Sequence, residues 1–235
     1  MKKKSLQPTS KIKENISIVM STRQIDETYI KHISDKFNNK NDQIICYENN
    51  NQFSLSELYN KGLDESVNDI VVFIHDDLFI DTPDVTLKVL ELFRKNPQHG
   101  IIGLAGTNHL KSGMWWEDRE SMFGMVNHEI NGEKHLSVYN PQRFNEKVKD
   151  VIIVDGLFMM VHKKRIKHRF DESFKGFHFY DIPFCFENFK NNVKVGVTTK
   201  IRVTHKSVGM VNEQWAENKK QFEQRYSFIL PMYIS

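Results

Sequence analysis

The chain has little of what would mark it for secretion, membrane insertion or cysteine-based metal chemistry. Only two cysteines occur in 235 residues. Cys46 sits in Ile44-Ile45-Cys46-Tyr47 and Cys185 in Phe184-Cys185-Phe186, surroundings in which free thiols behave as small hydrophobes. That usage predicts a reducing compartment. The basic start Met1-Lys2-Lys3-Lys4 runs into Ser5, Gln7, Pro8 and Thr9 instead of an apolar segment, so no secretory leader is expected and the location is expected to be cytoplasmic. The longest mainly apolar stretch, Val151 to Val161, falls far below the ~20 residues that span a bilayer and contains Asp155.

Charge of one sign is lacking too. The 33 basic and 30 acidic residues leave a net charge of +3, too small a field for sequence-independent nucleic-acid binding, so nucleic acid is not an expected partner. Basic residues cluster at Lys2, Lys3, Lys4, Lys11 and Lys13 and again from Lys163 to Arg169. These clusters read as a solvated tail and a solvated helix face, with a phosphorylated ligand or peripheral contact with an anionic membrane surface as the alternative.

What is present is an ordinary globular balance of 39% hydrophobic and 27% charged residues, with 17 Phe making the apolar share aromatic. Three runs rich in β-branched residues begin at Ile16, Gln43 and Ile70, each 27 residues after the last. Between the first two, Ile25, Tyr29, Ile30, Ile33 and Phe37 recur at helical spacing; before the third, Ser54 and Glu57 form a capping-box pattern ahead of Leu58, Tyr59 and Leu63. A fourth unit pairs a helix opening at Thr82-Pro83-Asp84 with a strand from Ile101 to Leu104. Continuous apolar strands alternating with amphipathic helices predict an α/β fold, a mostly parallel central sheet with helices on both faces, plus a small antiparallel, loop-rich region.

That region is expected over 105–150, as long loops and short hairpins with one weak strand signal at Leu136 to Tyr139. Strands resume at Val151 to Val154 and Leu157 to Val161 around Asp155-Gly156, and a short basic helix is expected from Lys163. A further helix over Asp181 to Asn191 precedes strands at Val193 to Val197 and Ile201 to Thr204. Trp215, Phe222, Tyr226 and Ile229 share one face of a C-terminal helix that should pack on its own domain. The expected organisation is a flexible basic tail (1–14), one catalytic domain (15–210, split into halves 15–104 and 105–210) and the C-terminal helix (211–235).

The sharpest chemical feature is Ile70-Val71-Val72-Phe73-Ile74-His75-Asp76-Asp77, a strand running into an imidazole and two carboxylates. Ligands of open α/β sheets sit outside the carboxyl ends of the strands, and adjacent carboxylates there call for a counter-charge such as a hard divalent cation. The bland alternative is a turn capped by Asp76 and Asp77. His205, after Ile201 to Thr204, stands at a second strand end. The aromatic stretch Phe170 to Phe184 delivers Asp181 before Ile182-Pro183, either as an N-cap or as a general base among aromatic walls. Trp115, Trp116 and Glu117 suit the apolar face of a sugar or serve equally well as loop anchors.

In this order, strand-His75-Asp76-Asp77, Val154-Asp155-Gly156, Phe170-Asp171-Glu172, Phe177-His178-Phe179-Tyr180-Asp181 and His205, the chain resembles a nucleotide-sugar glycosyltransferase of the GT-A fold, close to family 2, over about residues 15 to 210. The resemblance implies transfer of a sugar from a nucleoside-diphosphate sugar, a UDP- or GDP-sugar, to a glycan or glycolipid hydroxyl, inverting and dependent on Mn or Mg. It implies Asp77 and His205 on the metal, Asp76 near ribose or metal, and Ser21, Thr22, Arg23, Glu48 and Asn60 along the nucleotide. Asp181 would be the catalytic base, with Trp115, Trp116 and His178 facing the acceptor. Two departures stand out: His75 replaces the family's first Asp, and Tyr180 replaces the Glu before the base. They keep open a nucleotide- or glycan-binding module without turnover; a metal-dependent phosphohydrolase built on His75-Asp76 is a further alternative.

Overall fold

The computed structural model describes residues 14–140, 148–207 and 211–234; the lysines of the basic tail and Val208-Gly209 lie outside these. Strands β1 (Ser17–Thr22), β2 (Gln43–Glu48) and β3 (Ile70–His75) alternate with helices α1 (Glu27–Phe37) and α2 (Leu55–Glu65). The strands are parallel, with Ser17 opposite Gln43 and Ser21 opposite His75. Asp26 caps α1 by accepting from the Thr28 and Tyr29 amides, and Ser54 and Glu57 close the expected capping box on α2. α2 lies close on β1 at Gly62, where a Cβ would stand 2.6 Å from a Val19 methyl.

The chain then passes between two sheets. β4 (Leu78–Ile80), α3 (Val85–Lys95), β5 (His99–Gly103), β6 (Ala105–Thr107) and β7 (His109–Leu110) lead through a single 3-10 turn at Arg119–Ser121 to the hairpin of β8 (Met122–Ile130) and β9 (Glu133–Tyr139). β10 (Lys149–Val151), β11 (Ile153–Val154), β12 (Phe158–His162), α4 (Asp181–Lys190), β13 (Lys194–Val197), β14 (Val203–His205), α5 (Glu213–Tyr226) and β15 (Met232–Tyr233) complete it. One sheet has the order β10-β13-β5-β12-β3-β1-β2; the second has β11-β6-β8-β14-β4 with β9 on β8; β7 and β15 pair separately. The steps from β3 to β4, β5 to β6 and β10 to β11 each carry the chain from the first sheet into the second.

Three expectations are corrected. The large sheet is mixed: β12 runs antiparallel to β3 and β5, and β10 to β13. Buried strands are apolar throughout in either direction, so their composition carries no sense of orientation. The stretch 105–150 is not mainly loops, for β8 spans 9 residues. Its hairpin partner β9 is largely exposed and therefore polar, which hid it. The Asn131-Gly132 turn, with φ of 54° and 82°, is the local signal that marks such a hairpin.

The third correction concerns Lys163 to Arg169, which forms no helix. It opens with a turn, in which the Arg165 amide donates to His162 O at 2.9 Å, and continues as a strap without regular structure whose side chains reach helix ends. The Lys163 ammonium donates to the Ser66 carbonyl at the end of α2 (2.7 Å), and the Lys167 ammonium to Asn191 O at the end of α4 (2.6 Å). Arg165 Nη1 lies 3.3 Å from Asn96 O at the end of α3 and 3.0 Å from His99 O. Cations are favoured where helices leave carbonyls unpaired. Asn188 of α4 fastens the strap further, accepting from the Lys167 and His168 amides.

The buried face of α5 sets Trp215, Phe222 and Tyr226 against Phe179 and Phe186, with Ile229 packed on the same core. Among the described residues no helix is long and apolar enough to cross a membrane.

Candidate active site

His75, Asp76 and Asp77 form the step between β3 of the first sheet and β4 of the second. The Tyr29 hydroxyl pins that step, standing 2.9 Å from His75 O and 2.8 Å from Leu78 O. β14 runs antiparallel to β4 with His205 opposite Leu78, and the Lys206 amide donates to Asp77 O at 3.1 Å. Two strand ends from different parts of the chain therefore meet.

Three side chains converge there. Asp77 Oδ1 lies 3.1 Å from His205 Nε2 and 4.0 Å from His75 Nδ1, and the two imidazole nitrogens are 3.5 Å apart. Ligands ~2.1 Å from one ion stand about 3.0 to 4.2 Å from each other, so this donor set fits a single divalent cation. Two imidazoles and a carboxylate suit a transition metal better than Mg. Burial pushes the Asp77 carboxyl up, but the His205 hydrogen bond and charge outweigh it and hold it at about 2. His205 is raised by the Asp77 carboxylate against the opposing effect of burial, and His75 is lowered by burial and by the neighbouring His205. Asp76 is exposed at the same step and stands outside the cluster, whereas His75 belongs to it. The resemblance put only Asp77 and His205 on the metal; His75 stands beside them as a third donor.

Asp181 opens α4, with Tyr180 at the N-cap position. Its Oδ2 accepts from the Gly156 amide and its Oδ1 from the Ile182 amide, both at 2.9 Å. Each oxygen keeps a further lone pair, and the side chain is only half-buried. Burial, and then the charge of Asp155, pushes the carboxyl up to about 7. Asp155 is itself fixed by the Leu157 amide at 2.9 Å. Tyr180 reaches from the same turn to His75, its hydroxyl 2.6 Å from Nε2.

Ser21 and Thr22 end β1, Arg23 follows it, and Glu48 ends β2, at the same end of the sheet as His75. Glu48 accepts from the Ile25 amide at 3.4 Å. Asn60 is committed elsewhere: its side-chain amide donates to Phe170 O and Glu172 Oε1 at 2.9 and 2.8 Å, and its oxygen accepts from the Phe170 amide. It ties α2 to the segment that leads back to Tyr180. Trp115 is 5% exposed and packs edge-on against Trp116, which is 37% exposed and leans on Trp215, 5.7 Å away. Trp215 touches Phe179, next to Tyr180. His178 is half-buried, its carbonyl accepting from Asn218 at 3.3 Å.

No curated protein matches the sequence. Among solved structures, the crystal structure of A197 from STIV is 12% identical with a TM-score of 0.49, covering 85% of this chain and 87% of that one. That of GalNAc-T7 with UDP, GalNAc and Mn2+ is 7% identical with a TM-score of 0.55, covering 90% of this chain but only 47% of that one, about half its length. The second likeness shows the fold to be GT-A. A family model described as glycosyltransferase-like matches residues 16–226, nearly the whole described chain, and the protein therefore belongs to the glycosyltransferase-like family.

Proposed function

We propose that this glycosyltransferase moves a sugar from a nucleoside-diphosphate sugar to a hydroxyl of a glycan or glycolipid, by a single displacement that inverts the anomeric centre. The observation that carries this reading is the convergence of His75, Asp77 and His205 at the end of the sheet. His75 Nδ1, Asp77 Oδ1 and His205 Nε2 would hold a divalent cation, Mn in preference to Mg. Bound there, the cation supplies positive charge to the departing diphosphate.

Asp181 takes the proton from the acceptor hydroxyl as its oxygen bonds to the anomeric carbon and the bond to the nucleoside diphosphate breaks. Its raised carboxyl is suited to a base working near neutral pH. Ser21, Thr22, Arg23 and Glu48, with Asp76 at the ribose, line the side on which the nucleoside would lie. The exposed face of Trp116, backed by Trp215, offers a surface for a sugar ring of the acceptor; buried Trp115 holds that surface up. Asn60 supports the site through the 170–180 segment. Both cysteines are free, in keeping with a cytoplasmic enzyme that touches a membrane at most peripherally.

A glycan- or nucleotide-binding module without turnover is the second reading, favoured by Tyr180 standing in place of an acid. Calorimetric titration of UDP, GDP and CDP, with and without Mn, into the protein and into Asp77→Ala tests the site. Metal-dependent binding of one nucleotide, lost in the variant, supports the transferase reading and names the donor class. Absence of binding by all three sinks it, and binding without transfer to any hydroxyl acceptor favours the module.

A further inference from the structure

We infer that Tyr180 is a positioning residue that fixes the tautomer and orientation of His75, so that the imidazole turns the bare Nδ1 lone pair toward Asp77 and His205. The inference rests on the cation reading above. An imidazole can ligate through Nδ1 only if the proton sits on Nε2, and the partner of Nε2 decides whether it does. In this chain that partner is a phenol, 2.6 Å away.

The phenol can only accept from His75 if its own proton goes elsewhere. Tyr180 is hydrogen-bonded to the Tyr59 hydroxyl, which has a lone pair to receive that proton while its own proton goes to the backbone. Tyr59 in turn lies 3.5 Å from Ile74 O, its hydroxyl pointing to that carbonyl. The order of donors therefore runs from His75 Nε2–H to Tyr180, from Tyr180 to Tyr59, and from Tyr59 to the backbone of β3 beside His75 itself. The phenol keeps its proton at pH 8, where even an ordinary tyrosine hydroxyl is undissociated.

The surroundings leave Tyr180 no second position. Its ring meets Tyr59 edge-on at 5.2 Å and Phe170 at 6.3 Å. A Cβ at residue 156 would fall 2.1 Å from its hydroxyl, so the approach exists only because Gly156 has none. The preceding Phe179 holds φ at 62°, a left-handed conformation that a bulky residue adopts only when its surroundings impose it.

The test is Tyr180→Phe, which keeps the ring and removes the acceptor. Ring 15N shifts of His75 in the cation-free protein at pH 8 report the tautomer, and calorimetry with Mn reports ligation. The wild type should show the proton on Nε2 of His75. Tyr180→Phe should show a mixture of tautomers and bind Mn on the order of ten-fold more weakly. A wild-type proton on Nδ1 overturns the inference whether or not the variant folds, and so does a variant that keeps both tautomer and affinity. Failure of the wild type itself to bind Mn instead overturns the cation reading on which the inference rests.

Discussion

Replacing Asp181 by asparagine should make the protein less active and, above neutral pH, more stable. The folded carboxyl is raised from 3.8 to about 7, by burial and by Asp155. Between those two values the native state holds a proton that the unfolded chain has released, so native stability falls as pH rises from about 4 to about 7. Roughly 3 units at ~1.36 kcal/mol each amount to ~4 kcal/mol. Asparagine is neutral at every pH and escapes that loss. It has one oxygen for the Gly156 and Ile182 amides that now use two, and facing the second amide with its own N–H donors costs about 1–2 kcal/mol. The variant should thus be less stable than the wild type at pH 4 and ~2 kcal/mol more stable at pH 8. Urea denaturation of both proteins at several pH values, without cation, gives the difference, from which titrating groups that do not interact with Asp181 cancel. A difference independent of pH would refute the raised carboxyl, and with it the assignment of the base. In the same picture turnover of the wild type climbs through pH about 7, and the variant loses on the order of 10²–10⁴ in rate.

Gly156→Ala drives a methyl into the Tyr180 hydroxyl and should cost ~1–3 kcal/mol in a thermal melt while weakening Mn binding. Arg165→Ala strips the end of α3 of a charged donor and should lower stability by about 2 kcal/mol, with nucleotide binding unaltered. The two neighbouring tryptophans should separate: Trp115→Ala empties a buried site and costs about 3–5 kcal/mol by denaturant. Trp116→Ala should instead raise KM for the acceptor about ten-fold, at ~1.4 kcal/mol, and leave nucleotide affinity alone. A Trp116 variant with unchanged acceptor KM would remove it from the acceptor surface.

The first half of the fold could be read from the sequence because its signals are local. The 27-residue spacing, the capping box and the apolar runs each act within one element, and β1, α1, β2, α2 and β3 follow them. The direction of β12 could not, since Phe158 to Val161 is apolar in either orientation and what reverses it is the antiparallel pairing with β3 and β5. The site divides the same way. His75, Asp77 and Asp181 were visible as strand- and helix-end residues, but the meeting of His75 with His205, 130 positions apart, depends on β14 pairing with β4 in the second sheet. Tyr180 looked like a missing acid. Only the distance to His75 shows what the phenol does.

The strap of Lys163 to Arg169 bears on how the molecule opens. It joins the last turns of α2, α3 and α4, at the end of the sheet where β12 finishes, opposite Ile70 at the start of β3 and therefore away from His75. Helix ends normally fray one at a time. Here releasing one lysine or arginine loosens the segment that holds the other two, so the three ends should exchange their amide hydrogens as one cooperative unit. The strand ends around the site are fastened separately, by the Tyr29 hydroxyl and the Lys206 amide, so opening at the far end of the sheet need not disturb them.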